Sequence, residues 1–217
     1  MSQFKYAVDV VLVIDATNSM TRLIDMVKDS AQEFHGKLTR MLELQGKSVD
    51  ELRVRCIAYR DIPDNGVDGL QATPFFSMPQ NAATLREWIR NLKLIGNTTY
   101  PESGLTALSA AIHSQWTRAG SKRRHVIVLW ADNTPHSLES EAILVESQVH
   151  GVLDKTFDGL TDSWHAGNEP LSVRRLVLFA PAAGAWQVIG SQWDNVVHYA
   201  SVAGEGLRGE TQDELFA

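Results

Sequence analysis

Val8 to Ile14 reads Val-Asp-Val-Val-Leu-Val-Ile, a short β-branched run of the kind that fills a strand covered on both faces of a parallel sheet. A helical stripe follows, with Leu23, Val27, Ala31, Phe34, Leu38 and Met41 at three- and four-residue steps until Gly46. Leu52 to Tyr59 alternates as a second strand and stops at Arg60, Asp61 and the turn cluster Pro63-Asp64-Asn65-Gly66. Phe75 and Phe76 mark a short third strand. Leu85, Ile89, Leu92 and Ile95 predict one helix, and Leu105, Leu108, Ile112 and Trp116 another. His125 to Trp130 is the next strand, and Leu138, Ala142, Val145, Val149 and Val152 give the helix after it. Arg174 to Phe179 and Val196 to Tyr199 predict two further strands, with Ala183 to Trp193 between them. Strands alternating with helices of this length imply βαβ units, hence an α/β, doubly wound, Rossmann-like and mostly parallel sheet with helices on both faces. Asp158 to Pro170 reads as the most loop-like stretch, too short for a domain boundary, so residues 1–217 are expected to form one domain.

Composition narrows the function classes. The chain has 217 residues, 20 Lys+Arg against 26 Asp+Glu for a net charge of −6, and one cysteine, Cys56. An acidic balance with one short basic run, Lys122-Arg123-Arg124, argues against a nucleic-acid partner. A lone cysteine gives no intrachain disulfide, no run approaches the roughly 20 apolar residues that cross a bilayer, and Asp9 and Asp15 break the one N-terminal apolar stretch. The expectation is a cytoplasmic protein with no membrane partner.

Ligands of an open parallel sheet bind beyond the carboxyl ends of its strands. Asp15-Ala16-Thr17-Asn18-Ser19 follows the first strand, and Ala131-Asp132-Asn133-Thr134-Pro135 follows the strand ending at Trp130. Gly96-Asn97-Thr98-Thr99-Tyr100-Pro101-Glu102-Ser103-Gly104 precedes the Leu105 helix. Three loops at one sheet edge thus offer carboxylates and hydroxyls, the donors that suit Mg²⁺, Mn²⁺ or Ca²⁺. Plainer roles compete: Ser19 as a helix N-cap, Thr99 and Glu102 as a capping box, Asp132 as a turn residue. Asp61 reads as a solvated rim acid. His113, His136, His165 and His198 share no zinc spacing. Trp88, Trp116 and Trp130 suit the core, and Trp164 and Trp193 suit surface contacts.

In these loops the sequence resembles the von Willebrand factor A (VWA) family, bacterial cytosolic type, whose metal-ion-dependent adhesion site (MIDAS) has the motif Asp-x-Ser-x-Ser. Asp15, Thr17 and Ser19 match it with Thr for the first Ser, and Asp132 matches the Asp that ends a buried strand. Glu102, six residues before Leu108, stands where many members have Thr and where integrin β subunits have Glu in Asn-x-Asp-x-Pro-Glu; Thr99 departs from that pattern. Thr21 and Arg22 stand where those integrin chains carry acids for a further cation. Ala58-Tyr59-Arg60-Asp61 also looks like VWA domains.

The resemblance implies a protein-protein interaction module rather than an enzyme. Its divalent cation, Mg²⁺ first, would be held by Asp15, Thr17, Ser19, Glu102 and Asp132. One position would stay open for an Asp or Glu of a protein partner, in the manner of adaptors in bacterial ATPase, kinase/phosphatase or stress and conflict systems. Three carboxylates leave the ion less electrophilic than a Thr-containing site would, which favours a modest affinity for that partner or tolerance of Ca²⁺. Contact of Thr98 or Thr99 with the metal is left open. The alternative is a Mg-dependent phosphohydrolase or phosphotransferase using Asp15, although Thr17 stands where the haloacid-dehalogenase class needs a second Asp. Phosphate-cradling and dinucleotide glycine loops are absent, and no serine sits in a Gly-x-Ser-x-Gly elbow.

Overall fold

The computed structural model describes residues 6–22, 24–25, 28, 36, 40, 49–95, 101–142, 153–167 and 169–201. Most of the expected Leu23–Met41 helix, the end of the Leu138–Val152 helix, and Thr98 and Thr99 lie outside the described residues. Seven strands form one sheet: β1 (Tyr6–Asp15), β2 (Glu51–Tyr59), β3 (Leu70–Ala72), β4 (Phe76–Met78), β5 (Lys122–Trp130), β6 (Arg174–Pro181) and β7 (Val196–Ser201). Their order is β3-β2-β1-β5-β6-β7, with β4 also on β2; β3 and β4 run antiparallel to β2, and every other pair is parallel. The α-helices with both ends among the described residues are α1 (Ile62–Asn65), α2 (Ala82–Arg90), α3 (Gly104–Ile112), α4 (Phe157–Ala166) and α5 (Gly184–Gln192).

β1 lies between β2 and β5, so from Ala7 onward both its faces are buried and it shows no polar alternation. Successive side chains point to opposite faces. Val8, Val10, Leu12 and Ile14 enter one core layer with Met20, Ile24, Leu85 and Ile89 of α2. Val11 and Val13 enter the other with Leu105 and Leu108 of α3, Trp164 of α4, and Trp186 and Ile189 of α5. The sheet is thus covered on both faces, and the chain adopts the expected doubly wound α/β fold. Asp9 also points into a covered face at 0% exposure. Arg53 closes on it with Nε–Oδ1 at 2.8 Å and Nη2–Oδ2 at 2.6 Å, and the Thr117 amide donates at 2.6 Å.

Three expectations change. Asp158–Pro170 is mostly the helix α4, started by Thr156, whose hydroxyl accepts from the Gly159 amide at 3.0 Å, and anchored by buried Leu160 and Trp164. Trp164 and Trp193 are core residues: their rings stack at 5.8 Å, and Trp164 Nε1 donates to the Asp194 carbonyl at 3.0 Å. β3 was not expected, because three residues are too few to show a period. It forms where Gly69 passes so near Ile62 that a Cβ would lie 2.6 Å from the Ile62 Cα. Among the described residues, no helix is long and apolar enough to cross a membrane.

Candidate metal centre

β1 pairs with β2 on one side and β5 on the other, so the chain reverses its direction of winding beside β1. The carboxyl ends of β1 and β5 therefore border the crevice in which open α/β sheets place ligands. Asp15 is the last residue of β1, and Asp132 lies two beyond the end of β5. Glu102 stands just ahead of α3 and forms a bridge with Pro135. Backbone bonds tie these loops together. The amide of Ala16 donates to the carbonyl of Tyr59 at 2.8 Å, that of Ser103 to Arg60 at 3.1 Å, and that of His136 to Glu102 at 2.8 Å. Gly104, opening α3, lets that helix approach Trp186, whose ring would lie 2.7 Å from a Cβ there. The same indole donates to the Asn133 carbonyl at 2.8 Å, which fixes the loop holding Asp132.

One carboxylate oxygen from each of Asp15, Glu102 and Asp132 lies within 4.8 Å of the others, and all three residues are buried. Thr17 donates to Asp15 Oδ1 through its amide at 2.9 Å and its hydroxyl at 2.7 Å. Ser19 Oγ lies 2.8 Å from Thr17 Oγ1, 3.2 Å from Asp132 Oδ1 and 3.5 Å from Glu102 Oε1. All five residues singled out in the sequence therefore meet. Ser19 lies inside a 3-10 turn, Asn18–Arg22, with its hydroxyl turned to the carboxylates, so it is not the N-cap weighed above. No side chain caps α3.

The electrostatics of the cluster are unfavourable without a cation. Burial first, then the charges of Asp15 and Asp132, pushes the Glu102 carboxyl up to about 10. Burial and the Asp15 charge raise Asp132 to about 6. Asp15 is also raised by burial, against hydrogen bonds from Glu102, Thr17 and Tyr59. The Tyr59 hydroxyl, 3.4 Å from Asp15 Oδ2, is pushed well up by burial and by the three carboxylates. Among the described residues, no Lys, Arg or His forms an ion pair with any of the three. The Arg60 charge reaches Asp15 without forming an ion pair with it, and carboxylate and hydroxyl oxygens grouped in this way fit a hard divalent ion.

A second group was missed in the sequence. Asp61, just past β2, is no solvated rim acid: its Oδ1 lies 3.2 Å from His136 Nε2, and burial raises its carboxyl. Glu141 lies close by, 1% exposed, with Oε1 accepting from Ser103 Oγ and Oε2 from Thr106 Oγ1. The three residues come from positions 61, 136 and 141, so no chain spacing marked them.

No protein-family model matches the chain, and no curated protein matches it. Among solved structures, the pilus adhesin SpaC of Lactobacillus rhamnosus GG is similar in two crystal forms. One superposes with a TM-score of 0.60 at 12% identity, and the other, an open conformation, with 0.59 at 14%. Each match covers 99% of this chain and 30% of the adhesin, so this chain spans under a third of the length of that protein. The vWF domain of the type V pili tip protein Mfa5 from Porphyromonas gingivalis overlaps over 62% of this chain and 40% of its own, with a TM-score of 0.41 at 21% identity. The two adhesin superpositions establish likeness of fold.

Proposed function

We propose that the chain is a single VWA-type, metal-dependent protein-interaction domain and not an enzyme. Its divalent cation, Mg²⁺ first, is held by Asp15, Thr17, Ser19, Glu102 and Asp132. The observation that carries this reading is the meeting of three buried carboxylates and two hydroxyls, from three loops, at the crevice beside β1, with no cationic side chain ion-paired to them among the described residues. The bound ion supplies the missing positive charge and keeps a coordination position for an Asp or Glu of the partner. Likeness of fold to a pilus adhesin agrees with a binding role. The phosphotransfer alternative has less support, because Asp15 is 0% exposed and Thr17 stands where that class needs a second Asp. A nucleophile must be approachable by its substrate.

The test is thermal unfolding with and without metal. A ligand at about 100 times its Kd stabilises by about 2.7 kcal/mol, which raises the Tm of a chain this size by about 5–10 °C. Mg²⁺ or Mn²⁺ should give such a rise, and Asp15→Ala with Asp132→Ala should abolish it. An unchanged Tm at millimolar metal would reject the site. A Mg²⁺-dependent, EDTA-reversible pull-down then identifies the partner, while phosphatase turnover lost in Asp15→Ala would favour the alternative.

A further inference from the structure

Asp61, His136 and Glu141 each bring one ligand atom to within 4.8 Å of the other two, on the same rim as the first cluster but sharing no side chain with it. Bonds of about 2.0 Å to a tetrahedral zinc set neighbouring donors about 3.3 Å apart. The 3.2 Å between Asp61 Oδ1 and His136 Nε2 is already that length. Glu141 is the third corner, with its ligand atom within 4.8 Å of the other two. Its two oxygens accept from Ser103 and Thr106, and since a carboxylate has about four lone-pair positions, both keep one for a metal. Such hydroxyls orient a metal-binding carboxylate as outer-shell partners do. Glu141 is 1% exposed, its oxygens are met by the neutral hydroxyls of Ser103 and Thr106, among the described residues no Lys or Arg pairs with it, and the positive charge that reaches it is that of His136 in the same group.

We propose that Asp61, His136 and Glu141 form a second site, for a borderline divalent metal of the zinc class, with a fourth position open to water or a partner's side chain. The donor set selects the metal: one imidazole nitrogen with two carboxylates suits Zn²⁺ or Co²⁺, whereas Mg²⁺ prefers an all-oxygen shell rich in water. Three protein ligands and one open position are the arrangement of an accessible rather than a sealed zinc site. Because the His136 amide holds the Glu102 carbonyl, an ion here also braces the loop between Asp132 and His136.

The experiment uses the full chain, both as Asp15→Ala/Asp132→Ala and as the unchanged protein with excess Mg²⁺. Failure of the first site then has no bearing on the second. Calorimetric titration with Zn²⁺ should show one equivalent bound in both forms. Co²⁺ should give a visible band whose intensity reports a low-coordinate site with a nitrogen ligand. His136→Ala should weaken Zn²⁺ binding about tenfold or more and remove the Co²⁺ band, with an unchanged circular dichroism spectrum. Asp61→Asn, at a partly exposed residue, repeats the reading should His136→Ala unfold. Absence of saturable Zn²⁺ binding, or binding that neither variant weakens, would overturn the proposal and leave Asp61 and His136 as a plain ion pair.

Discussion

β1 carries two fully buried carboxylates, Asp9 near its start and Asp15 at its end, and they live in opposite electrostatic settings. Asp9 is answered within the chain, by the fork of Arg53 and the amide of Thr117. Asp15 faces two more carboxylates; its hydrogen bonds come from Glu102, the Thr17 amide and hydroxyl, and the Tyr59 hydroxyl, and among the described residues it has no ion pair. A buried charge that is paired and hydrogen-bonded has most of its desolvation cost offset, whereas one set among like charges costs stability and is a candidate for a binding role. Burial alone therefore says little about role. The sign of the neighbours decides.

The largest effect should come from breaking the paired end. Arg53→Ala strips Asp9 of its counter-charge and should lower stability by about 3–5 kcal/mol, measured by urea unfolding; a loss below about 1 kcal/mol would show that the Thr117 amide suffices. The metal end should behave differently. Burial and the charges of Asp15 and Asp132 favour the neutral form of Glu102 when no ion is bound, so Glu102→Gln should change metal-free stability by no more than about 1 kcal/mol while weakening Mg²⁺ binding about tenfold or more. Calorimetry and unfolding on the same variant would expose any reversal of that pattern.

Asp154 sharpens the contrast with a carboxylate satisfied by two hydroxyls and an imidazole. Burial would raise it, but hydrogen bonds from His113, Ser163 and Ser109 outweigh burial and hold it below the ordinary carboxylate range. A group depressed in the fold stabilises above its unfolded value of 3.8 and loses that contribution as pH falls through the folded value. Asp154→Asn should thus cost about 1 kcal/mol at pH 7 and make the acid limb of the stability curve, below about pH 4, shallower. A variant as acid-sensitive as the parent would refute this role.

Much of this was legible in the sequence, because strongly patterned segments carry their own physics. Val10–Ile14 of β1 and Val126–Trp130 of β5 are apolar runs of the kind a doubly covered strand uses, and they located the loops bearing Asp15 and Asp132. What was lost lacked a local signal. α4 contains Gly159 and a run of small polar residues, so its apolar contacts, Leu160 and Trp164, are too sparse to show a period. Trp164 and Trp193 stack on each other in the core across 28 intervening positions. The Asp61–His136–Glu141 group depends on three segments that meet only once the sheet is formed.

One consequence of the strand geometry concerns parity. Asp9 and Asp15 are six residues apart, an even number, so both project from the same face of β1 as Val11 and Val13. Inserting or deleting a single residue between them would turn one of the two toward the layer of Leu12 and Ile14, away from either Arg53 or the cluster of Glu102 and Asp132. Changes of two residues preserve the face but shift the register against β2 and β5. The length of this strand is therefore fixed more tightly than its composition: one apolar residue can replace another along it, but the count between the two carboxylates cannot change.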